Sequence, residues 1–236
     1  MQIEVVDHVA GATRARGIAL VIDVFRAFTV APHAIAAGAS RVLPVGDIED
    51  ALALRRAMPD AVLVGERHAR RLPGFDAGNS PTEILAVGVA GRPVVHTTHA
   101  GTQGLVNATG ADEVLTASLV NVSALARYVR TRNPQQVTIV RMGHEARERC
   151  AEDDLCAEIL LGLFEGHPPP TTAEVRDRLR DAPAAVKFFD PAADWAPRTD
   201  FDYCTEVDRF DFVLRLITGL DGRCELERID VPEAGA

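Results

Sequence analysis

Residues 74–83, GFDAGNSPTE, bring together the side chains of an ion-binding loop. Asp76 is a hard oxygen ligand for a cation. Asn79 offers both a donor and an acceptor. Gly74 and Gly78 permit positive φ or a close backbone approach to a ligand. Ser80, Pro81 and Glu83 fit an N-cap, a proline at the first helical position and the acidic residue of a capping box. A helix opening at Pro81 points free N–H groups and its positive dipole end back at this loop, a place suited to an anion. An ordinary capped loop–helix junction accounts for the same spacing, so the loop alone decides nothing.

Further chemistry sits where apolar runs end. IALVIDV (18–24) leads to Asp23 and Arg26, and AVLVG (61–65) to Glu66 and Arg67. PVVHT (93–97) leads to Thr97, Thr98 and Thr102, and QVTIVR (136–141) to Gly143, then Glu152 and Asp153. Runs this apolar suit strands buried on both faces of a parallel sheet. In such sheets ligands bind beyond the carboxyl ends of the strands. Four or five carboxylates at one edge repel one another unless a cation is present. Hard oxygen ligands suit magnesium better than zinc. With Arg26, several hydroxyls and glycine-rich helix starts nearby, the bound group reads as phosphate or another oxyanion. Mg2+ bridging a phosphate oxygen and orienting a water makes phosphoryl transfer or hydrolysis the expected chemistry. Singly, Asp23 reads equally as a helix cap, Glu66 as a surface ion-pair partner, and Glu152 and Asp153 as complements to a helix dipole. Their joint placement carries the reading.

The elements that position these residues alternate. Strands are expected at 3–6 and 18–24, a helix at 29–37, a strand at 41–45, a helix at 47–58 capped by Asp47, and a strand at 61–65. Helix 81–87, strand 93–97, helix 102–108, strand 113–116, helix 118–130 and strand 136–141 continue the pattern. A further helix starts at Asp153. Such alternation implies right-handed crossovers and a layered α/β/α fold with a mainly parallel central sheet. The pattern changes after Gly166. His167 and three prolines break the chain, and Thr171 or Thr172 caps a helix running to about Arg180. A short helix at 182–189 and a loop at 190–200 follow, and 212–217 pairs with 224–229 as a C-terminal β-hairpin. One α/β domain over 1–236 is expected, with 166–236 as a smaller subdomain in the alternative.

Composition bounds the function. The 236 residues are 47% hydrophobic and 25% charged, ordinary for a globular chain with a buried core. The net charge of −9 argues against non-specific nucleic-acid binding. No apolar stretch is long enough for a membrane span, and no basic region opens a signal peptide, so a cytoplasmic protein is expected. Disorder is expected only in the tail VPEAGA. The four cysteines contain no CxxC pair, which disfavours zinc and fits reduced thiols. His99 and Cys204 are weaker catalytic candidates, each needing a partner that spacing does not supply.

The residues then resemble a known family, the 2-phosphosulfolactate phosphatases. The matching stretches are VIDVFRAFT (21–29), GER (65–67), GFDAGNSPTE (74–83), TTHAGT (97–102), ASLVN (117–121), Glu152-Asp153-Asp154, and DYC (202–204) followed by Asp208. They fall in the family's order across nearly the whole chain, and FDxGNSP is the most specific. The resemblance implies a cytosolic, magnesium-dependent phosphohydrolase of α/β fold that turns 2-phosphosulfolactate into sulfolactate and phosphate, a step towards coenzyme M. It implies a site of Asp23, Arg26, Glu66, Asp76, Asn79, Ser80, Thr98, Thr102, Asn121, Glu152 and Asp153. Asp23, Glu66, Glu152 and Asp153 are then the expected metal ligands or water-positioning groups. Arg26 and the backbone of Gly78, Asn79 and Ser80 would hold phosphate, and Arg67, Thr98 and Thr102 the sulfonate and carboxylate.

The chain departs from the family pattern in three places. The family has Thr-Asn-Gly-Thr where this chain has Thr98-His99-Ala100-Gly101-Thr102, one residue longer and without the Asn. The glycines after GER are replaced by His68-Ala69-Arg70-Arg71. The family's RAT triplet reads Arg26-Ala27-Phe28. The substrate is therefore 2-phosphosulfolactate or another phosphorylated hydroxy acid. The non-enzyme alternative is a silent small-anion-binding or regulatory protein on the same fold. The expected partner is a small phosphorylated anion, with no nucleic acid, no membrane, and homodimerisation left open.

Overall fold

Strand β2 (Ile18–Ile22) is buried along its whole length. Ile18, Leu20 and Ile22 enter one apolar cluster, and Ala19 and Val21 another. This is the alternation of a strand covered on both faces. Full burial of a leucine or isoleucine contributes about 1.5–3 kcal/mol, so a strand of this kind anchors the fold. In the computed structural model, which describes residues 1–232, β2 is central in a six-stranded sheet. The order is β1 (Gln2–Asp7), β8 (Gln136–Arg141), β2, β7 (Glu113–Ala117), β9 (Phe212–Thr218) and β10 (Cys224–Asp230). The first four are mutually parallel, and β9 joins β7 and β10 antiparallel. The expected C-terminal hairpin is thus present.

The remaining strands form a second sheet rather than extending the first. Its order is β3 (Arg41–Pro44), β6 (Pro93–Thr97), β4 (Val62–Arg67) and the two-residue β5 (Arg70–Arg71). β3, β6 and β4 run parallel, and β5 turns back on β4. The class is α/β with mostly parallel strands, divided between two sheets. The apolar clusters show the layering. Val42, Val62, Val64 and Val94 share a cluster with Ala19 and Val21, so that cluster lies between the sheets. It also holds residues of α1 (His8–Ala12), α2 (Ala27–Ala36), α4 (Pro81–Val87) and α5 (Gly101–Asn107). The opposite side chains of the small sheet, Leu43, Leu63 and Val95, meet α3 (Ile48–Ala57). The other face of the large sheet is covered by α6 (Val122–Arg132), α7 (Ala151–Glu165), α8 (Thr172–Leu179) and α9 (Arg198–Cys204). Among the described residues, no helix is long and apolar enough to cross a membrane.

The caps follow the sequence rules. Ser80 Oγ accepts the Glu83 N–H at 3.1 Å, with Pro81 at the first helical position. The Glu83 carboxylate reaches past the cap to the Gly78 N–H at 2.6 Å. Thr171 and Glu174 form a reciprocal capping box on α8. Some elements carry no sequence signal. α1 is only five residues long, and α9 lies partly in the stretch expected to be loop, with Asp200, Phe201 and Cys204 buried. Of the tail expected to be disordered, Val231 is buried and its N–H donates to the Asp211 carbonyl. Residues 233–236 lie outside the described residues.

Gly17 enters β2 with φ +64°, and a Cβ there would lie 2.0 Å from the Gln136 carbonyl oxygen. Gly166, which ends α7 at φ +94°, has open space around it. Left-handed backbone costs a non-glycine residue about 1–2 kcal/mol, and a fixed clash adds about 1–3 kcal/mol. Urea unfolding should therefore show Gly17→Ala losing clearly more stability than Gly166→Ala. Equal losses would mean that the approach of Gly17 to β8 does not constrain the fold.

Candidate active site

The carboxyl ends of β2, β4, β6 and β8 open onto a cleft of about 50 Å³. Of the residues expected at the site, Asp23, Arg26, Glu66, Asn79, Glu152 and Asp153 line it. All six are buried, with 2–7% of their surface exposed.

The carboxylates hold the surrounding backbone. Asp153 Oδ1 accepts the Val24 N–H at 2.9 Å, and its Oδ2 the Gly143 N–H at 2.8 Å. Asp23 Oδ1 accepts the Ala27 N–H at 3.1 Å, opening α2. Glu66 takes the Ala69 and His99 N–H groups, both at 2.8 Å. Glu152 is different: its Oε2 is buried with no hydrogen-bond partner. Gly101 is required beside this group, since a Cβ there would lie 2.7 Å from Asp23 Oδ2 and 2.6 Å from the Ala27 Cβ.

Burial and like charge shift these acids. Burial, then the negative charge of Asp153, pushes Asp23 up to about 7. Burial, then the charge of Glu152, pushes Asp153 up to about 7. Burial likewise raises Glu152. Crowded hard-oxygen donors with one orphaned oxygen fit a divalent cation such as magnesium. Cys150, on the cleft wall, is no nucleophile: burial and the neighbouring acids push its thiol far up. Cys204 lies outside the cleft lining, and burial raises its thiol as well.

Two cations face the acids. The Arg26 guanidinium donates from Nη1 to Asp200 Oδ2 at 2.5 Å and to the Trp195 carbonyl at 3.2 Å. Asp200 also accepts the Ser80 hydroxyl at 2.9 Å and the Thr82 N–H at 3.0 Å. One buried carboxylate thus joins α9, Arg26 and the start of α4. The second cation is Lys187, whose ammonium forms no ion pair among the described residues. It lies 5.0 Å from the Phe188 ring centre, and burial followed by the charge of Arg26 lowers its pKa.

Lys187, on the cleft wall, and Asp200, which holds Arg26, are side chains that the motif reading passed over. Asp200 carries no local signal. Lys187 does: the chain has 24 arginines and this single lysine.

The other expected residues stand behind the cleft or away from it. Asn79 Oδ1 lies 3.2 Å from His96 Nε2, and burial lowers His96 to about 4, so the ring is neutral. An amide oxygen accepts only, so His96 donates and the Asn79 nitrogen is left for the cleft. Ser80 caps α4 and bonds Asp200. Gly78 binds Glu83. Thr98 and Thr102 bond each other across the loop, each hydroxyl accepting the other's N–H at 3.1 and 2.9 Å. Arg67 donates to the Glu66 and Gly46 carbonyls and to Thr97. Asn121 donates to the Phe212 carbonyl, and its Oδ1 is buried without a partner. Asp76 is not brought into the cleft. It pairs with Arg55 of α3 and accepts the Leu63 N–H at 2.7 Å.

The fold is α/β, and its cleft sets buried carboxylates beside two basic side chains. A sequence model of the family described as 2-phosphosulpholactate phosphatase matches residues 4–219. A relative in Bacillus subtilis, described as a probable 2-phosphosulfolactate phosphatase, is 33% identical over 84% of this chain and 86% of its own. A relative so described in Caldanaerobacter subterraneus is 38% identical over 85% and 88%, and one in Deinococcus radiodurans 44% over 62% of each. The chain belongs to the 2-phosphosulfolactate phosphatase family.

The raised acids set a pH dependence. The folded chain holds the Asp23 and Asp153 protons more tightly than the unfolded chain does. Their contribution to stability is therefore full below about pH 4 and lost as pH rises through about 7. In chelator, Asp23→Asn should gain stability over the wild type steadily across that range. A difference that is flat with pH in urea titrations would contradict the assigned burial.

Proposed function

We propose that the chain is a magnesium-dependent phosphohydrolase acting on 2-phosphosulfolactate or a closely similar phosphorylated hydroxy acid. One observation carries the reading: Asp23, Glu152 and Asp153 crowd together with an orphaned Glu152 oxygen, facing Arg26 and Lys187. The acids suit a hard cation, and the two basic groups suit an anion beside it. Family membership and the relatives' names support the substrate class.

Asp23, Glu152 and Asp153 would hold the ion, with Glu66 behind them. When bound, magnesium supplies charge neutralisation at phosphate oxygens and a polarised water. The chain's own residues do the rest. Arg26, immobilised by Asp200, fixes an oxyanion in one orientation. Asn79, turned by His96, offers amide N–H groups. Lys187 places an unpaired, movable charge opposite the acids, worth more in a water-poor cleft than in solvent. The carboxylate and sulfonate of the substrate would meet the arginine-rich 67–71 turn.

Phosphate release from racemic 2-phosphosulfolactate should require magnesium and stop with chelator, and Asp23→Asn should reduce it to background while remaining folded. Phospholactate, phosphoglycerates and nucleotides form the comparison panel. Release only from another phospho-acid would move the substrate, and silence across the panel would overturn the enzymatic reading.

Lys187→Met should lower kcat/KM on the order of a hundredfold, the scale for removing one transition-state donor. Lys187→Arg should recover part of this at most, because a planar fork does not replace a compact ammonium. Full activity in Lys187→Met would remove Lys187 from the mechanism.

A further inference from the structure

Three loops at the cleft bring two imidazoles and a carboxylate together. His68 follows β4, His99 follows β6 and Glu145 follows β8. Each offers one ligand atom, all within 4.8 Å of one another. His68 Nδ1 lies 2.6 Å from Glu145 Oε1, and the two imidazole centres are 5.3 Å apart. His99 and Glu145 also line the cleft. Glu66, through the Ala69 and His99 N–H groups, fixes both histidine loops.

A surface histidine–carboxylate pair explains only part of this. It leaves His99 Nδ1 buried and without a hydrogen-bond partner. The left-handed backbone of His68 and Glu145, at φ +53° and +51°, belongs to the tight two-residue turns His68–Ala69 and Glu145–Ala146. A cation shared by the three residues gives the His99 ring a polar partner that the surface pair does not supply.

We propose that His68, His99 and Glu145 form a second cation site, for a divalent transition metal of the zinc type, distinct from the oxygen-only cluster of Asp23, Glu152 and Asp153. Two imidazoles and one carboxylate select borderline metals over magnesium. Three protein ligands leave a coordination position for water or a ligand oxygen. The ligands come from strand ends in both sheets, so a bound ion would tie the sheets together across the mouth of the cleft.

Zinc binding to the full chain in excess magnesium tests this, by equilibrium dialysis and by the visible spectrum of cobalt as a zinc substitute. No substrate is involved, so the outcome is independent of the phosphatase reading. The wild type should retain one zinc per chain, with cobalt bands of low-symmetry nitrogen and oxygen ligation. His68→Ala, at a side chain 73% exposed, should fold normally and lose affinity on the order of a hundredfold, as should Glu145→Gln. Asp23→Asn should bind zinc as the wild type does. No retained zinc, or undiminished binding in His68→Ala, would overturn the site. Loss in Asp23→Asn with retention in His68→Ala would place the ion among the carboxylates instead and equally overturn it.

Discussion

Carboxylate oxygens gripping backbone N–H groups hold the cleft in shape. Asp153 joins the turns after β2 and β8, since it takes the amides of Val24 and Gly143. Glu66 joins the turns after β4 and β6 through Ala69 and His99. Asp23 starts α2 through Ala27. A hydrogen bond to a charged group contributes about 1.5–3 kcal/mol, whereas burying a carboxylate costs several kcal/mol. The amides thus offset only part of the burial. The remainder appears as the raised affinity of Asp23 and Asp153 for protons. A group of acids that binds the protein's own loops, yet stays short of positive charge, is suited to a divalent cation.

The opposite wall works by another balance. Arg26 and Asp200 are a buried pair, 2% and 0% exposed. Two desolvated charges in contact often add little net stability, but removing either strands the other. Their value here is placement. Asp200 takes Arg26, Ser80 and Thr82 together, so the guanidinium has a fixed position relative to the GNSP loop. The segment after Gly166 therefore completes the cleft: it supplies Asp200 and Lys187, while its apolar residues Val175, Leu179 and Phe201 join the cluster of β2 and α7.

The sequence exposed those parts of the site that sit at the ends of apolar runs. Asp23 and Glu66 stood out because a buried strand must turn polar where it leaves the sheet, and Glu152 and Asp153 because acids favour the first turn of a helix. Ser80 and Pro81 were legible because capping is local chemistry. Partnership across long separations was not. Asp76 meets Arg55, which lies on α3, and no spacing in GFDAGNSPTE specifies that encounter. Asp200 and Lys187 sit in short helical segments without a clear apolar period. The division into two sheets was hidden for a different reason. Val62–Val64 and Ile18–Ile22 are equally apolar, and apolarity says that a strand is covered, not which strand lies beside it.

Net charge and local charge also part company. A chain at −9 repels a multiply charged phosphorylated acid at a distance. At physiological salt that repulsion fades beyond about 8 Å, so the field at the cleft is set by the groups near it. These are Arg26, Lys187 and the turn containing Arg67 and Arg70, with Arg70 stacked 5.4 Å from the Trp195 ring centre. Arg26 and Arg67 are committed to carbonyls, hydroxyls or Asp200, and so give direction. Lys187 forms no ion pair among the described residues and sits over phenylalanine rings. A compact ammonium on a flexible stem keeps a freedom of position that the fixed Arg26 guanidinium lacks, so the two basic groups of the cleft wall differ in kind.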